Sequence, residues 1–510
     1  MASENNKRIA KNTMFLYFRQ ILILFVSLYT VRVVLDVLGV EDYGIYSVVA
    51  GIVSFFSFLS GTMASATQRF FSFALGKNDT EKLKKTFSVN LLIYGGIAII
   101  ALLLLETVGL WFVNEHLQVP PNRFEAAKWV YHFSVLMFIA TIFSTPFMSI
   151  IIAHEDMKIY AYVSIVEVVM KLGVVFLLLY VPFDKLELYG VLTFAVSVII
   201  TILYAIICMR KYLECQFRIF YWDKLLLKEI VGFTGWTLFG QLSSVGRNQA
   251  VTILLNQFFN PVVVAARAIA VNITNNITVF ANNFNTGLYP PIIKYYASGQ
   301  KEEMFKLIFN GSKITFFLMW VFALPLLLEM DIVLKLWLKN PPEYTVLFTR
   351  LALIEVLIIS LSLPLATAAR APGKMKTYEL SLGTIQIAIF IASWIILKMG
   401  AEAYSVFLIA ILANIIMFFA RLLIVKQLIE IDVKLFILKV VFPIFIIIIL
   451  SFVPTYCIFL FLPKGILFSI ITVILSVIIC SLTMYFVGID KKMRNKIHEI
   501  VINKARKFFK

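Results

Sequence analysis

The chain is poor in charged residues and in cysteine. Only 15% of its 510 residues are charged, whereas 61% are hydrophobic, and the mean hydropathy is +0.91. This composition lies far outside that of soluble globular proteins, so we expect lipid to be the main solvent. The cysteines, which show no paired spacing and so indicate neither a disulfide framework nor a zinc site, are Cys208, Cys215, Cys457 and Cys480.

Sequence motifs of common enzymes are also missing. No Gly-x-x-x-x-Gly-Lys-Ser/Thr loop is present, which excludes ATP hydrolysis by a P-loop mechanism. The histidines are isolated, without His-Glu-x-x-His or Gly-x-Ser-x-Gly, which argues against an intramembrane hydrolase. A membrane glycosyltransferase, with carboxylates such as Glu41 and Asp42 in an outer loop, remains the enzyme alternative. No outer loop is long enough for the sizeable outer domain usual in such enzymes, which argues against this alternative. We expect no enzyme, no cofactor and no metal.

Apolar runs interrupted by proline, glycine and charge predict an all-α polytopic membrane protein with about fourteen transmembrane helices. Each run is at least as long as the roughly 20 residues that cross about 30 Å of hydrocarbon as an α-helix. The predicted spans are 12–38, 44–66, 87–113, 128–153, 159–182, 189–210, 229–258, 262–290, 305–333, 345–369, 377–398, 402–425, 436–460 and 465–488.

Basic residues concentrate in alternate connections between these spans, as the positive-inside rule requires. This pattern explains the net charge of +17 without nucleic acid and, with an even number of spans, places both termini in the cytoplasm. The basic tail, residues 489–510, interleaves lysine and arginine with apolar residues. It is interpreted either as an amphipathic helix on anionic lipid or as a solvated topology anchor.

A short repeat suggests internal duplication. Residues 74–77 are Ala-Leu-Gly-Lys, and residues 297–300 are the similar Ala-Ser-Gly-Gln. The offset is about 223 residues and six predicted spans, so a parallel duplication would give two six-helix lobes with a transport path between them. Chance similarity of two linkers is the alternative. The predicted divisions are an N-terminal lobe (1–215), a C-terminal lobe (216–430), helices 13 and 14 (431–488) and a basic cytoplasmic tail (489–510).

Arginines inside spans are the strongest functional signal, because a charge at the bilayer centre costs roughly 2.5–3.5 kcal/mol. Arg247 lies beside Asn248 in a polar patch of the seventh predicted span. It is predicted to line an aqueous cavity, and a structural ion pair is the alternative. Arg267 lies near the outer end of the eighth span, where snorkelling is also open to it. Arg19 lies two turns from the cytoplasmic end of the first span and either snorkels or holds an anion.

Amides recur along the eighth predicted span. Asn272, Asn275, Asn276 and Asn283 are separated by helical intervals and define one wet face. Interhelical hydrogen bonds explain such a face, and so does binding of sugar hydroxyls. Both interpretations stay open.

Other embedded charges fall at helical spacing. Arg32 and Asp36 are four residues apart, which favours either a structural ion pair or a ligand site. Glu167 and Lys171 share that spacing in the middle of the fifth span. They form either a neutralised pair or a protonatable site that couples an ion gradient to conformational change, a role also open to Asp36 and to Glu355 in the tenth span.

Four segments resemble one family. Residues 38–46 (Leu-Gly-Val-Glu-Asp-Tyr-Gly-Ile-Tyr), 65–70 (Ser-Ala-Thr-Gln-Arg-Phe) and 76–77 are similar to the opening of bacterial polysaccharide flippases. These are the O-antigen and capsule exporters of the multidrug/oligosaccharidyl-lipid/polysaccharide superfamily. Residues 260–284 resemble the second-lobe counterpart. The resemblance implies two six-helix lobes in a V around a central cavity, plus two extra C-terminal helices.

The same resemblance implies a flippase of the bacterial inner membrane. Its substrate would be polyprenyl-pyrophosphate-linked oligosaccharide, moved to the periplasmic leaflet for surface polysaccharide or lipopolysaccharide synthesis. Membrane lipids and a polysaccharide polymerase are the implied partners of a monomeric chain. A peptidoglycan-precursor flippase and a multidrug exporter are alternatives, although cation-binding multidrug members do not explain embedded arginines. The arginines that fit pyrophosphate binding are Arg19, Arg32, Arg247 and Arg267.

Overall fold

The described chain contains helices and no β-strand. The computed structural model describes residues 2–488 apart from 118, 217–219, 339 and 464, together with Arg494, and only the backbone of residues 2–7, 9, 10, 28, 31, 40, 54 and 116. The predicted tail, except Arg494, lies outside the described residues. The α-helices are α1 (Ala2–Ser54), α2 (Ser57–Gly76), α3 (Thr80–Leu104), α4 (Leu110–His116), α5 (Phe124–Ala153), α6 (Met157–Tyr180), α7 (Lys185–Lys211), α8 (Lys224–Phe258), α9 (Pro261–Ala297), α10 (Lys301–Leu338), α11 (Thr345–Leu361), α12 (Leu363–Arg370), α13 (Lys376–Lys398), α14 (Ser405–Ile429), α15 (Val433–Phe436), α16 (Phe442–Phe461) and α17 (Ile466–Thr483).

Short helices of other types complete these elements. A π-helical segment, Leu105–Gly109, joins α3 to α4, and a second, Ile437–Val441, joins α15 to α16. A third, Met484–Gly488, follows α17, and a 3₁₀ turn, Pro121–Arg123, precedes α5.

Twelve helices of the described chain are long and apolar enough to cross a membrane, or thirteen if one bent pair is a single span. The predicted polytopic all-α fold is confirmed, but the count of fourteen is not. The bent pair, Glu41–Val53 and Ser57–Gly76, turns by 45°. The predicted span 44–66 lies within this pair, and the break falls inside it. α8 is long enough to span, but polar residues 241–248 interrupt its apolar run.

The first helix changes direction at a glycine. Gly39 has φ 78° and ψ 171°, which is not helical. Only glycine enters this region without steric cost from a β-carbon. The residue therefore separates the segment Lys11–Gly39 from Glu41–Val53 within α1.

Several helices begin at an acidic or amide side chain that accepts a backbone N–H of the first turn. Asp79 accepts from Lys82 at 2.9 Å, and Asp184 accepts from the N–H groups of residues 186 and 187 at 3.0 and 3.1 Å. Asn260 accepts from Val263 at 3.1 Å at the start of α9. These caps satisfy donors that have no partner within the helix.

A buried carboxylate fixes the loop between α5 and α6. Glu155 has φ 64°, and its side chain is 1% exposed. Lys294 Nζ lies 2.7 Å and Arg8 Nε 2.8 Å from its carboxylate oxygens. Asn12 Nδ2 donates to the Glu155 carbonyl at 3.1 Å. This cluster ties the start of α1 and the end of α9 to the same loop.

Packing divides the described chain into two compact units. Unit 1 comprises the described residues up to Leu242, with Thr286–Lys301 and Gly373–Lys376. Unit 2 comprises Ser243–Asn285, Glu302–Pro372 and the described residues from Thr377 onward. The core of unit 1 includes the fully buried rings of Tyr94, Tyr131 and Phe87, and that of unit 2 packs Phe348 against Phe407 at 4.8 Å between ring centroids.

Candidate functional site

An arginine-carboxylate pair lies inside unit 2. Arg247 of α8 donates from Nη1 to Glu355 Oε1 of α11 at 3.0 Å, and from Nη2 to Asn248 Oδ1 at 3.0 Å. Asn414 Nδ2 of α14 donates to the same Glu355 oxygen at 3.1 Å. The side chains of Arg247 and Glu355 are 11% and 13% exposed. The ion pair considered from the sequence is therefore present, and Glu355 is its partner.

A second guanidinium lies beside this pair. Arg267 of α9 is buried and donates from Nε to Thr252 Oγ1 at 3.2 Å and from Nη2 to the Asn248 carbonyl at 3.5 Å. Its Cζ lies 5.5 Å from the centroid of the Phe407 ring. Asn248 thus contacts both arginines. Two guanidinium groups around the one carboxylate of Glu355 leave this cluster with one net positive charge.

Three of the four amides predicted to form one wet face of α9 are exposed, whereas Asn283 is buried, so the predicted face does not extend to it. Asn272, Asn275 and Asn276 are all exposed. Asn276 Nδ2 donates to Asn272 Oδ1 at 3.0 Å and to the Asn272 carbonyl at 3.1 Å, so this bonding stays within one helix. In the part of the chain that the structure describes, these three amides make no hydrogen bond to another helix. The interhelical explanation does not account for them.

These amides lie well inside Pro261–Ala297, a helix long and apolar enough to cross a membrane. Asn272 is about 17 Å along α9 from the first residue, at 1.5 Å per residue. Amides without compensating hydrogen bonds are costly in hydrocarbon. We therefore infer that the face of Asn272, Asn275 and Asn276 contacts water.

Unit 1 contains a separate polar cavity of about 440 Å³ among α1, α5, α6 and α7. A volume of a few hundred Å³ is within the range of small-molecule sites. The hydroxyl-bearing residues that line it are Ser27, Thr30, Thr141, Ser144, Tyr160, Ser164, Ser197, Thr201 and Tyr204.

Charged groups line the same cavity. Arg19 is 9% exposed, its Nη1 donates to Ser164 Oγ at 3.4 Å, and its Cζ lies 4.5 Å from the Tyr160 ring centroid. Lys171 Nζ donates to Glu167 Oε1 at 2.6 Å, which confirms that these two residues pair. With two cations and one carboxylate, the lining carries one net positive charge.

The remaining predicted pair of the first span is not formed. Arg32 and Asp36 are both exposed, and among the described side chains no ion pair joins them. Neither residue lines the Arg19 cavity. Spacing of four permits a contact on a helix but does not require one. The structure therefore leaves Arg32 and Asp36 apart from both clusters of embedded charge.

The hydroxyl groups that line the Arg19 cavity were not predicted from the sequence. Ser197, Thr201 and Tyr204 follow one another at intervals of four and three, so they share one face of α7. This helical period was the available signal. Within the described residues, no three His, Cys, Asp or Glu side chains gather as metal ligands.

Two protein-family models match the chain, and together they cover residues 9–384. A model described as polysaccharide biosynthesis protein matches residues 9–296. A second model, MatE, matches residues 237–384. No curated protein matches the sequence.

Solved transporters share the fold at low sequence identity. A multidrug resistance MATE family transporter of the MOP superfamily, in an outward-facing conformation, has a TM-score of 0.72 at 14% identity, covering 84% of this chain and 96% of its own. A MATE protein in a bent conformation gives 0.69 at 14%, covering 84% and 96%. A MOP superfamily transporter from Pyrococcus furiosus, described as having a binding pocket of reversed polarity that suggests a different function, gives 0.66 at 14%, covering 83% and 96%.

Proposed function

Because the chain belongs to the polysaccharide biosynthesis protein family, a family of membrane transporters in the MOP superfamily, we propose that it flips a polyprenyl-pyrophosphate-linked oligosaccharide across the bacterial inner membrane. The glycan would pass from the cytoplasmic to the periplasmic leaflet by alternating access, for surface polysaccharide or lipopolysaccharide synthesis. We place both termini in the cytoplasm, and we expect a monomer that cooperates with a polysaccharide polymerase.

The observation that carries this proposal is the pairing of a wet amide face with embedded arginines in unit 2. Asn272, Asn275 and Asn276 offer donors and acceptors suited to sugar hydroxyls. Arg267 lies one to two helical turns from that face along α9, and Arg247 contacts Asn248, which Arg267 also contacts. Both arginines offer guanidinium forks that match phosphate oxygens. A ligand with both sugar and pyrophosphate would use both sets of groups.

The Arg19 cavity in unit 1 supports the same chemistry. It combines one guanidinium with hydroxyls that can bind either phosphate or sugar. We propose that Arg19 holds the pyrophosphate in one stage of transport. Arg32, which is exposed outside this cavity, would contribute only to initial capture of the anion.

A coupling scheme follows from the Arg247 pair. A pyrophosphate that binds Arg247 competes with Glu355 for the same guanidinium. We propose that this exchange at Arg247 links substrate binding to the coupling ion, with Glu355 as the residue at which the two are linked. Glu167, with Lys171, offers a second place where such an exchange could occur, while Asp36 has no described cation beside it.

Export of cationic drugs is the second candidate, and the structural likeness to multidrug transporters favours it. The net positive charge of both embedded clusters argues against cations as ligands. The Pyrococcus transporter, whose pocket polarity is described as reversed, supports the idea that the shared fold accommodates other ligands.

The test is translocation by purified protein in vesicles that contain a fluorescent lipid-linked oligosaccharide. We expect wild-type protein to flip the lipid without forming a glycosidic bond, and Arg247→Ala to lower the rate about 10- to 100-fold, the loss of a charge-assisted hydrogen bond. Arg350→Ala, which removes an arginine paired with Asp331 elsewhere in unit 2, is the control. Efflux of a cationic dye without lipid translocation would favour the drug exporter, and sugar transfer to an acceptor would favour a glycosyltransferase.

A further inference from the structure

A pair of stacked aromatic rings borders the amide face of unit 2. The ring centroids of Phe280 of α9 and Phe322 of α10 lie 5.1 Å apart, with an angle of 28° between the ring planes. Phe322 is 38% exposed, whereas Phe280 is half-buried. Phe280 follows Asn276 by four residues, which places it about 6 Å further along α9 and about 40° around the helix. An exposed ring therefore stands beside the amides that the proposed function assigns to sugar hydroxyls.

The stacked rings and the amides lie on the same surface of unit 2. On α9, Ala270 is about 160° around the helix from Asn272 and is fully buried in the core of the unit. On α10, Trp320 and Leu324 are each about 160° around the helix from Phe322, and both are buried. Each helix thus has one side in the core, and the amides and the exposed ring are on the sides that point away from it.

A sugar ring offers a different partner to each of these two groups. Hydroxyls around the rim of the ring can donate to amide oxygens and accept from amide nitrogens. The C–H groups on the face of the ring are apolar and slightly positive, so they suit the negative face of an aromatic side chain. Amides next to an exposed aromatic ring therefore match one sugar residue better than either group does alone.

We propose that Phe322 stacks on the face of the sugar residue whose hydroxyls bind Asn276, an inference that rests on the proposed function. Phe280 is a positioning residue, because its ring holds that of Phe322 in place from the other helix. A pyranose whose hydroxyls are mostly equatorial presents a continuous C–H face to such a ring. The site therefore selects this class of sugar over one with an axial hydroxyl on the stacked face.

The experiment compares two fluorescent lipids, polyprenyl pyrophosphate with and without its oligosaccharide. Phe322→Leu removes the ring but keeps an apolar side chain, and Phe322→Trp keeps an aromatic face. Phe419→Leu is the control, because Phe419 of α14 is 53% exposed and packs its ring against Phe418 of the same helix. Binding of each lipid to full-length protein is measured in detergent, and translocation is measured in vesicles. Thermal unfolding checks that each variant is folded.

Phe322→Leu should weaken binding of the glycosylated lipid about 2- to 10-fold, the strength of one aromatic contact, and should leave binding of the sugar-free lipid unchanged. Phe322→Trp and Phe419→Leu should bind both lipids as wild type does.

Equal weakening for both lipids would identify the ring as a contact for hydrocarbon and overturn the proposal. Unchanged binding of the glycosylated lipid by folded Phe322→Leu would also overturn it, while translocation by the wild type would leave the flippase function intact. Ring-dependent binding of the glycosylated lipid by a wild-type protein that does not translocate it would instead contradict the flippase function and leave the sugar site standing. Binding of neither lipid by wild type would overturn both.

Discussion

Arg247 has a structural and a proposed functional role at the same time. Its guanidinium neutralises Glu355 and bonds Asn248, while the neighbouring Arg267 keeps the cluster positive. Burial of an ion pair costs the solvation free energy of both charges, and their mutual attraction offsets this cost. Removal of one partner therefore leaves a buried charge without compensation. Stability and transport should therefore respond differently to the same substitutions.

We expect Glu355→Ala to destabilise the protein by about 3–5 kcal/mol, because Arg247 is then buried without its carboxylate. The double variant Arg247→Met with Glu355→Met should recover most of this loss but should not transport. Unfolding by denaturant in detergent and translocation in vesicles would be measured on the same preparations. A double variant as unstable as Glu355→Ala would show that the pair is not the cause of the instability.

Asp184 makes stability depend on acidity. Arg123, which bonds Asp184 and Asp42 with its guanidinium, holds the pKa of the Asp184 carboxyl below its ordinary value. Because the folded-state pKa is the lower one, the stabilisation is complete above the unfolded pKa of about 3.9 and disappears as pH falls through the folded value.

Asp184→Asn should therefore be less stable than wild type at pH 7, by no more than about 1 kcal/mol because the group is partly exposed. The difference should shrink below about pH 4 as the wild-type carboxyl becomes protonated. Thermal unfolding at pH 7 and pH 3 measures it. A difference that is constant with pH would mean that the ion pair with Arg123 contributes nothing.

Embedded charges were predictable from the sequence, but their partners were not. The cost of a charge in hydrocarbon singles out Arg19 and Arg247 without any structure. Arg247 pairs with a residue 108 positions away, and such a partner is chosen by helix packing that sequence spacing does not encode. A spacing of four residues on one helix does not decide the pairing either. Lys171 forms an ion pair with Glu167, whereas Arg32 and Asp36 remain apart.

Hydropathy predicts where the helices lie, but it does not predict where packing bends or breaks them. Long apolar runs locate the helices well because lipid requires every backbone group to bond within the segment. The break between Ser54 and Ser57 was missed because no proline marks it. The interrupted α8 shows that a helix can form at a predicted span while its composition fits a lipid-crossing segment poorly.

The two glycines of the sequence repeat have different structural roles. Gly76 ends α2 against α9, where a built β-carbon would lie 2.8 Å from the Lys294 Cα. Gly299 follows α9 with φ 75°, and a β-carbon there would meet no atom within 4 Å. The first glycine permits close approach of two helices, and the second permits a left-handed turn.

Gly76→Ala should destabilise the protein by about 1–3 kcal/mol, because the backbone of α9 cannot move aside without strain. Gly96→Ala, in an open helical position, should be neutral or stabilising by up to about 1 kcal/mol through helix propensity. Denaturant unfolding in detergent compares the two. Equal effects of the two substitutions would show that the close approach at Gly76 is relieved without cost.

On the scale of the whole molecule, the distribution of lysine and arginine predicts which loops face the cytoplasm. The structure is that of a multi-pass membrane protein, and its native thiols are favourable for testing orientation. Cys208, Cys215 and Cys480 are buried, and Cys457 is exposed. Replacement of Cys457 by serine therefore leaves a background suited to single introduced cysteines.

In intact cells with Cys457→Ser, a membrane-impermeant maleimide should label Phe183→Cys between α6 and α7 but not Lys77→Cys after α2, because the first loop is predicted to be outside and the second inside. Both positions are exposed. Labelling after cell lysis shows that Lys77→Cys is reactive. The opposite pattern would reverse the predicted orientation of every loop.

The contact between Arg19 and α6 has a consequence for biosynthesis. α1 is synthesised before α6, and its embedded arginine meets Ser164 and Tyr160 only after another hundred and more residues have been made. Until then the translocon holds a segment that hydrocarbon receives poorly. We therefore expect α1 to remain near the lateral gate during synthesis and to settle into the bilayer together with α6, so that the embedded charge of Arg19 delays the membrane insertion of its own helix.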